Sequence, residues 1–137
     1  MGARKHIMAE RLKAEKKNKA VAKLRNCPSS PRKMRLVVDL VRGKDVNTAL
    51  NILKYSSKNA AADVHKLLLS AIANWKIKNE SVRIEDANLY VKEIFVDEGR
   101  MLKRIRTAPQ GRAHRIRKRS NHVTVVLDSV VTNESNN

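Results

Sequence analysis

Aromatic residues are scarce in this sequence, which has one Trp, two Tyr and one Phe among 137 residues. Modules that bind single-stranded nucleic acid stack bases on exposed aromatic rings, so this binding mode has little support here. Cysteine occurs only as Cys27, which excludes an intrachain disulfide and a zinc site built from several thiolates. We expect Cys27 to be a small, half-buried hydrophobic residue.

Acidic residues are also few. The chain has 13 Asp and Glu against 30 Lys and Arg, which gives a formal net charge of +17. Such an excess of positive charge points to a polyanionic partner, above all nucleic acid. Because no apolar run is long enough to cross a bilayer and no signal-peptide segment is evident, we expect a cytoplasmic protein that does not contact membranes.

Patterns typical of catalysis are missing. The histidines His6, His65, His114 and His122 are scattered over different predicted elements, with no metal-binding spacing. The sequence has no phosphate-binding loop, dinucleotide fingerprint or nucleophile elbow. We therefore expect no enzyme activity, no metal and no cofactor.

The most basic segment covers residues 99–122 and contains no acidic residue. Its flanks, 89–97 and 123–127, are rich in β-branched and aromatic residues and are predicted strands. Between them, residues 107–111 give the best turn signal, because Pro109 fixes φ and Gly111 can adopt positive φ.

These features predict a long β-hairpin over 94–127, with an outer arm at about 99–119. The expected register places Ile105 opposite Ile116, and it therefore also places Val96 opposite Val125 and Ile94 opposite Leu127. The arm has too few apolar residues to be stable alone in water, so it needs a surrounding polyanion, and folded RNA is the first candidate. From composition alone, the alternative is a DNA-architectural protein whose ribbon arm enters the minor groove with Pro109 as a wedge.

The rest of the chain predicts an α+β fold of three helices packed on a small three-stranded antiparallel sheet. A short strand over 20–25 precedes helices that run from Ser30 to Gly43, from Asp45 to about Tyr55, and from near Ser57 through Trp75. We expect one globular domain over 20–128 and a flexible tail over 129–137. Residues 1–19 are predicted to be a mobile or nascent-helical extension. Two roles are equally well supported for it, a solvated tail and an arm that contacts phosphates.

Two features of the helices bear on function. Trp75 lies on the apolar stripe of the third helix, which favours core packing over base stacking. Arg32, Lys33 and Arg35 crowd the first turn of the first helix, where the helix dipole disfavours cations. This placement indicates either a nearby phosphate or flexible side chains that are screened by salt.

Several blocks in a fixed order then give a specific resemblance. The chain resembles the large-subunit ribosomal proteins of the family numbered twenty-two, in their bacterial form, over about residues 20–127. The matching blocks are SPRKMRLVVDLVRG (30–43), AIAN (71–74), IFVDEG (94–99), LKRI (102–105), GRA (111–113), RIRKR (115–119) and HVTVV (122–126).

The resemblance implies a non-enzymatic protein, one copy per ribosome, on the outside of the large subunit beside neighbouring ribosomal proteins. It implies that the protein binds large-subunit rRNA and assists assembly, and that its hairpin threads through the rRNA to the wall of the nascent-peptide exit tunnel. The tunnel-facing tip, in contact with the nascent peptide, would be Thr107, Ala108, Pro109, Gln110 and Gly111. With the basic helix residues included, the expected rRNA contacts are Arg32, Lys33, Arg35, Arg100, Lys103, Arg104, Arg106, Arg112, Arg115, Arg117, Lys118 and Arg119.

The chain departs from the family pattern at the tip. The family usually has Pro then Arg where this chain has Thr107 and Ala108, and Ala where it has Pro109. The family resemblance therefore does not predict the geometry of this tip or one of the family's cationic contacts. The basic N-terminal extension is longer than the common form, so its role does not transfer either.

Overall fold

The computed structural model describes residues 3–80, 82–84 and 87–130, except for the side chains of residues 17 and 18. Four helices and five strands lie in this part of the chain, and they confirm the α+β class. Their order is α1 (Ala3–Asn18), β1 (Ala20–Cys27), α2 (Pro31–Val41), α3 (Val46–Tyr55), α4 (Asn59–Lys78), β2 (Leu89–Glu98), β3 (Leu102–Thr107), β4 (Ala113–Lys118) and β5 (Asn121–Ser129).

The predicted three-stranded antiparallel sheet is present, with strand order β1-β5-β2. Its central strand β5 pairs Val125 with Ala22 on one side and with Ile94 on the other. All three of these side chains are buried. Further along the sheet, Leu127 of β5 pairs with Ala20 and Val91, and these side chains are buried as well. The apolar face of the sheet packs against α2 and α4, which forms the core.

The three predicted helices correspond to α2, α3 and α4. Asp45 caps α3 as predicted, because its carboxylate accepts from the backbone N–H groups of Asn47 at 3.1 Å and Thr48 at 3.3 Å. Ser30 occupies the N-cap position of α2, but its side chain makes no capping hydrogen bond. Gly43 follows α2 with φ of 71°, a conformation that favours glycine.

Helix α4 supplies the centre of the core. Trp75 is only 6% exposed, which confirms that it is a packing residue. Cys27 is 4% exposed, so the expectation of half-burial was wrong: the residue lies at the end of β1, inside the core cluster. Asn74 Nδ2 donates to Val21 O at 3.0 Å and attaches α4 to β1.

Strand β2 forms one edge of the sheet, and two arginines from the α2 side cover it. Arg35 Nη2 donates to Val96 O at 3.2 Å, and Arg42 Nη2 donates to Ile94 O at 3.0 Å. Nearer the start of the strand, Val91 exchanges backbone hydrogen bonds with Gly43 and Lys44. The carbonyl groups of Val91, Ile94 and Val96 at this edge therefore have hydrogen-bond donors from within the chain.

The chain termini add two further observations. Helix α1 raises the helix number above the predicted three, and its described side chains are all exposed, which fits either interpretation of residues 1–19. The expected tail begins inside β5 at Ser129, and residues 131–137 lie outside the described part. Among the described residues, no helix combines the length and apolar content needed to span a membrane.

The predicted hairpin register was wrong in both halves. Val96 pairs with Val123 and Ile94 pairs with Val125, so the inner half is displaced by two residues and keeps its apolar partners. In the outer half, Ile105 faces Arg115 and Ile116 faces Arg104. The two halves belong to separate ladders, so a single register does not describe them.

Candidate nucleic-acid interface

The outer arm is a two-stranded ribbon formed by β3 and β4, which we call the ribbon. Every side chain of β3 is exposed, and in β4 only Ile116 is partly covered. The ribbon therefore has no core of its own. A groove of about 670 Å³ lies along the ribbon and is bordered by Ile105, Ile116 and basic side chains.

The register places cations on both faces of the ribbon. Directly paired residues share a face, and neighbours along one strand point to opposite faces. The pairs Leu102–Lys118, Arg104–Ile116 and Arg106–His114 therefore form one face, and the pairs Lys103–Arg117, Ile105–Arg115 and Thr107–Ala113 form the other. Each face carries three Lys or Arg residues, so neither face is a surface suited to packing on an apolar protein.

The tip is a tight turn. Ala108 N donates to Arg112 O at 2.9 Å, and Arg112 N donates to Pro109 O at 3.4 Å. Gln110 and Gly111 have φ of 63° and 69°, as a type I′ turn requires. The sequence predicted the positive φ of Gly111 but not that of Gln110.

Residues 99–101 and 119–120 join the ribbon to the sheet, and we call them the neck. Gly99 N donates to Ser120 O at 2.9 Å, and the Ser120 hydroxyl donates to Arg100 O at 2.6 Å. A Cβ atom on Gly99 would lie 2.5 Å from Ser120 Oγ and 3.2 Å from the Ser120 carbonyl carbon, so only glycine fits without movement. Buried Asn121 ties this neck to the domain by donating from Nδ2 to Ser29 O at 2.7 Å.

The predicted contact residues do not form one continuous surface. Arg32 and Lys33 lie beside Arg117, Lys118 and Arg119, where all five line a cleft between α2 and the ribbon. Arg35 lies apart from this cleft, because its guanidinium group binds the edge of β2. Arg100 lies in the neck, and Arg112 lies at the end of the tip turn.

The sequence did not identify two features near this interface. The start of α4, at Asn59, lines the cleft although it is distant in sequence from the other members. The second feature is the exposure of two aromatic rings, because Tyr55 is 79% exposed and Phe95 is 43% exposed. Neither ring lies on the ribbon, so the ribbon itself offers no aromatic surface for base stacking.

Titratable groups in the described part show little sign of a reactive centre. No three His, Cys, Asp or Glu side chains there come together as potential metal ligands. The one resolved pKa shift is structural: Lys92 Nζ donates to Asp128 Oδ2 at 2.6 Å across β2 and β5, which raises the pKa of Lys92 above its ordinary value.

The family described as "Ribosomal protein L22p/L17e" matches residues 22–128. The chain belongs to this family. Its members are structural proteins and not enzymes, as the sequence predicted.

Similar relatives cover almost the whole chain. One from Christiangramia forsetii is 65% identical over 127 residues, which is 93% of this chain and 94% of the relative. One from Flavobacterium johnsoniae is 62% identical over 99% of each chain, and one from Bacteroides fragilis is 61% identical over the full length of both. Each is named "Large ribosomal subunit protein uL22". The last two of these matches extend over the N-terminal helix as well as the fold and the ribbon.

Proposed function

We propose that this chain is a structural component of the large ribosomal subunit in the cytoplasm and that it binds large-subunit rRNA through the ribbon. The observation that carries the proposal is the presence of three cations on each face of a ribbon that has no core. Residues 20–128 form the binding domain in this proposal, and the extension 1–19 and the tail 129–137 lie outside it.

A two-stranded ribbon without an apolar face is marginally stable in water. Ordering it costs conformational entropy, and its many cations repel one another. A folded polyanion that surrounds both faces offsets both costs at once. Folded RNA can do this because phosphates line several sides of a cavity, whereas a flat protein surface meets only one face.

The recognition is expected to depend on backbone and shape. Arg and Lys bind phosphates without reading the base sequence, and the ribbon lacks the aromatic rings that single-strand modules use. The helical side is then free to lie at the subunit surface, where exposed Leu36 and Leu40 of α2 offer contacts for neighbouring ribosomal proteins. By holding separate RNA segments together, the protein would assist subunit assembly.

Neutralising either face should weaken rRNA binding to a similar degree. The first variant replaces Arg104, Arg106 and Lys118 with Gln, and the matched second variant replaces Lys103, Arg115 and Arg117 with Gln. Each removes three cations, so we expect the slope of log affinity against log salt to shrink by about two to three in each. Filter binding of a large-subunit rRNA fragment across a salt series measures this slope.

The same assay separates RNA binding from the DNA-architectural alternative. A duplex DNA of equal length and charge is added as competitor to the wild-type complex, and we expect it to displace the rRNA fragment poorly. Equal competition by duplex DNA would favour the alternative. A slope that changes for one face only would mean that the partner covers a single face of the ribbon.

We also propose that the tip lines the nascent-peptide exit tunnel and touches the nascent peptide. The tip residues 107–111 contain no charged side chain, although Arg106 and Arg112 flank them. The row of phosphate-binding cations therefore stops at Arg106 and Arg112, and the turn between them is uncharged. An uncharged tip suits a surface that faces the water-filled tunnel. This assignment rests on family resemblance and on this pattern of charge.

A photoreactive amino acid in place of Gln110 should crosslink to the nascent chain in ribosomes that carry a stalled, labelled peptide. The matched control places the same group at Lys76, an exposed residue of α4. Crosslinks from position 110 to rRNA alone, with none to the peptide, would contradict the tunnel assignment and leave the rRNA-binding proposal intact.

A further inference from the structure

A basic cleft lies where the ribbon meets the helical side of the domain. It has a volume of about 630 Å³, and its walls are the loop before α2, the first turns of α2 and α4, and the end of β4. Five cations line it, with one carboxylate: Arg32, Lys33, Arg117, Lys118, Arg119 and Asp63. The cleft is therefore assembled from segments that are far apart in sequence.

The charges in this cleft are not balanced within the described part of the chain. The ion pairs found there, such as Arg42 with Asp39 and Lys92 with Asp128, use none of its five cations. Asp63 is the one acidic group in the lining, and its Oδ2 accepts from Cys27 Sγ at 3.6 Å. Bringing like charges from two elements together costs free energy unless an anion lies between them.

Two helix N-termini add to the positive potential. Both α2 and α4 begin at the cleft, and neither has an acidic residue in its first turn. The N-cap side chains Ser30 and Lys58 make no capping hydrogen bond, so backbone N–H groups of both first turns are open to an external acceptor. The helix dipoles favour an anion at the same place.

We propose that this cleft binds phosphodiester groups of an RNA segment that passes between the ribbon and the helices, an inference that rests on the proposed rRNA binding. Phosphates there neutralise the cations of both walls and bridge them. The ribbon joins the sheet only through the neck, so this bridge fixes its direction relative to the domain. The lining has no aromatic ring, so the cleft holds backbone and reads no sequence.

Binding is tested with inorganic pyrophosphate on the full chain, followed by amide chemical shifts. We expect saturable shifts concentrated at residues 30–33, 59–61 and 117–119. The variant Arg32→Gln with Arg119→Gln removes one cation from each wall and should weaken binding about tenfold or more. The control, Lys66→Gln with Lys76→Gln, makes the same charge change at two exposed residues of α4 outside the cleft and should bind pyrophosphate like the wild type.

Equal weakening of pyrophosphate binding in the two variants, or chemical-shift changes spread evenly along the ribbon, would contradict phosphate binding in the cleft. Orientation is tested by residual dipolar couplings: the ribbon and the helices should report one common alignment with pyrophosphate and different alignments without it. Unchanged couplings would refute the bridge.

Binding of the rRNA fragment distinguishes a failure of the proposed cleft from a failure of the proposed rRNA binding. If pyrophosphate gives no shifts concentrated at the cleft while the wild type still binds the rRNA fragment, the cleft is wrong and rRNA binding stands. If the wild type does not bind the fragment, the proposed function fails whatever pyrophosphate does.

Discussion

Removing residues 100–119 is expected to leave a folded domain that has lost most of its affinity for rRNA. Gly99 and Ser120 already share a backbone hydrogen bond, so an Asn-Gly pair between them can close a two-residue hairpin. The buried core contains no ribbon residue, which is why the fold should survive. Circular dichroism and cooperative urea unfolding measure this survival.

The affinity loss follows from the nine cations of the deleted segment 100–119. If six to ten phosphates are bound, wild-type affinity should fall by about 10³ to 10⁵ between roughly 50 and 200 mM salt, a rule derived for DNA. The deletion should show a much flatter dependence. A control with Lys66→Gln and Lys76→Gln lowers the net charge without touching the ribbon and should keep the steep slope.

Two outcomes would contradict this picture. If the deletion unfolds, the ribbon belongs to the cooperative core, and residues 20–128 cannot be divided into a domain and an arm. If the deletion binds rRNA with the wild-type slope, the phosphate contacts lie elsewhere on the surface.

Replacing Trp75 with Ala is expected to cost about 3 to 5 kcal/mol of unfolding free energy, as for other buried large-to-small changes. Small domains have about 5 to 15 kcal/mol in total, so this loss is a large share. Trp75 is the sole tryptophan, so its fluorescence follows unfolding in the wild type, and circular dichroism must replace it in the variant.

The Trp75→Phe variant is the matched control, because it keeps an aromatic ring and most of the buried area. It should lose less stability than the alanine variant. If Trp75 instead stacked on a base, the alanine variant would stay nearly as stable as the wild type and lose affinity for rRNA.

The sequence predicted the elements well where local signals are strong. Pro31 after Ser30 and the cap at Asp45 placed the starts of α2 and α3, because these residues act on their own first turns. The apolar spacing of α4 placed Trp75 in the core. The hairpin followed from β-branched flanks around a turn signal.

Tertiary features could not be predicted in the same way. The register failed because the neck separates two ladders, and no local pattern marks that interruption. The cleft needs Asn59, Arg32 and Arg119 side by side, which only the folded chain brings about. The bond from Arg35 to Val96 O was hidden for the same reason, since in sequence Arg35 is one of several exposed cations.

The arginines that cover β2 have a consequence for the free protein before it reaches a ribosome. An open strand edge is a template on which a second copy or an unfolded chain can add a strand and begin an aggregate. Here the guanidinium groups of Arg35 and Arg42 already occupy two of the carbonyl positions that such a strand would need. The addition of a strand at the β2 edge is therefore disfavoured in newly made copies of the protein.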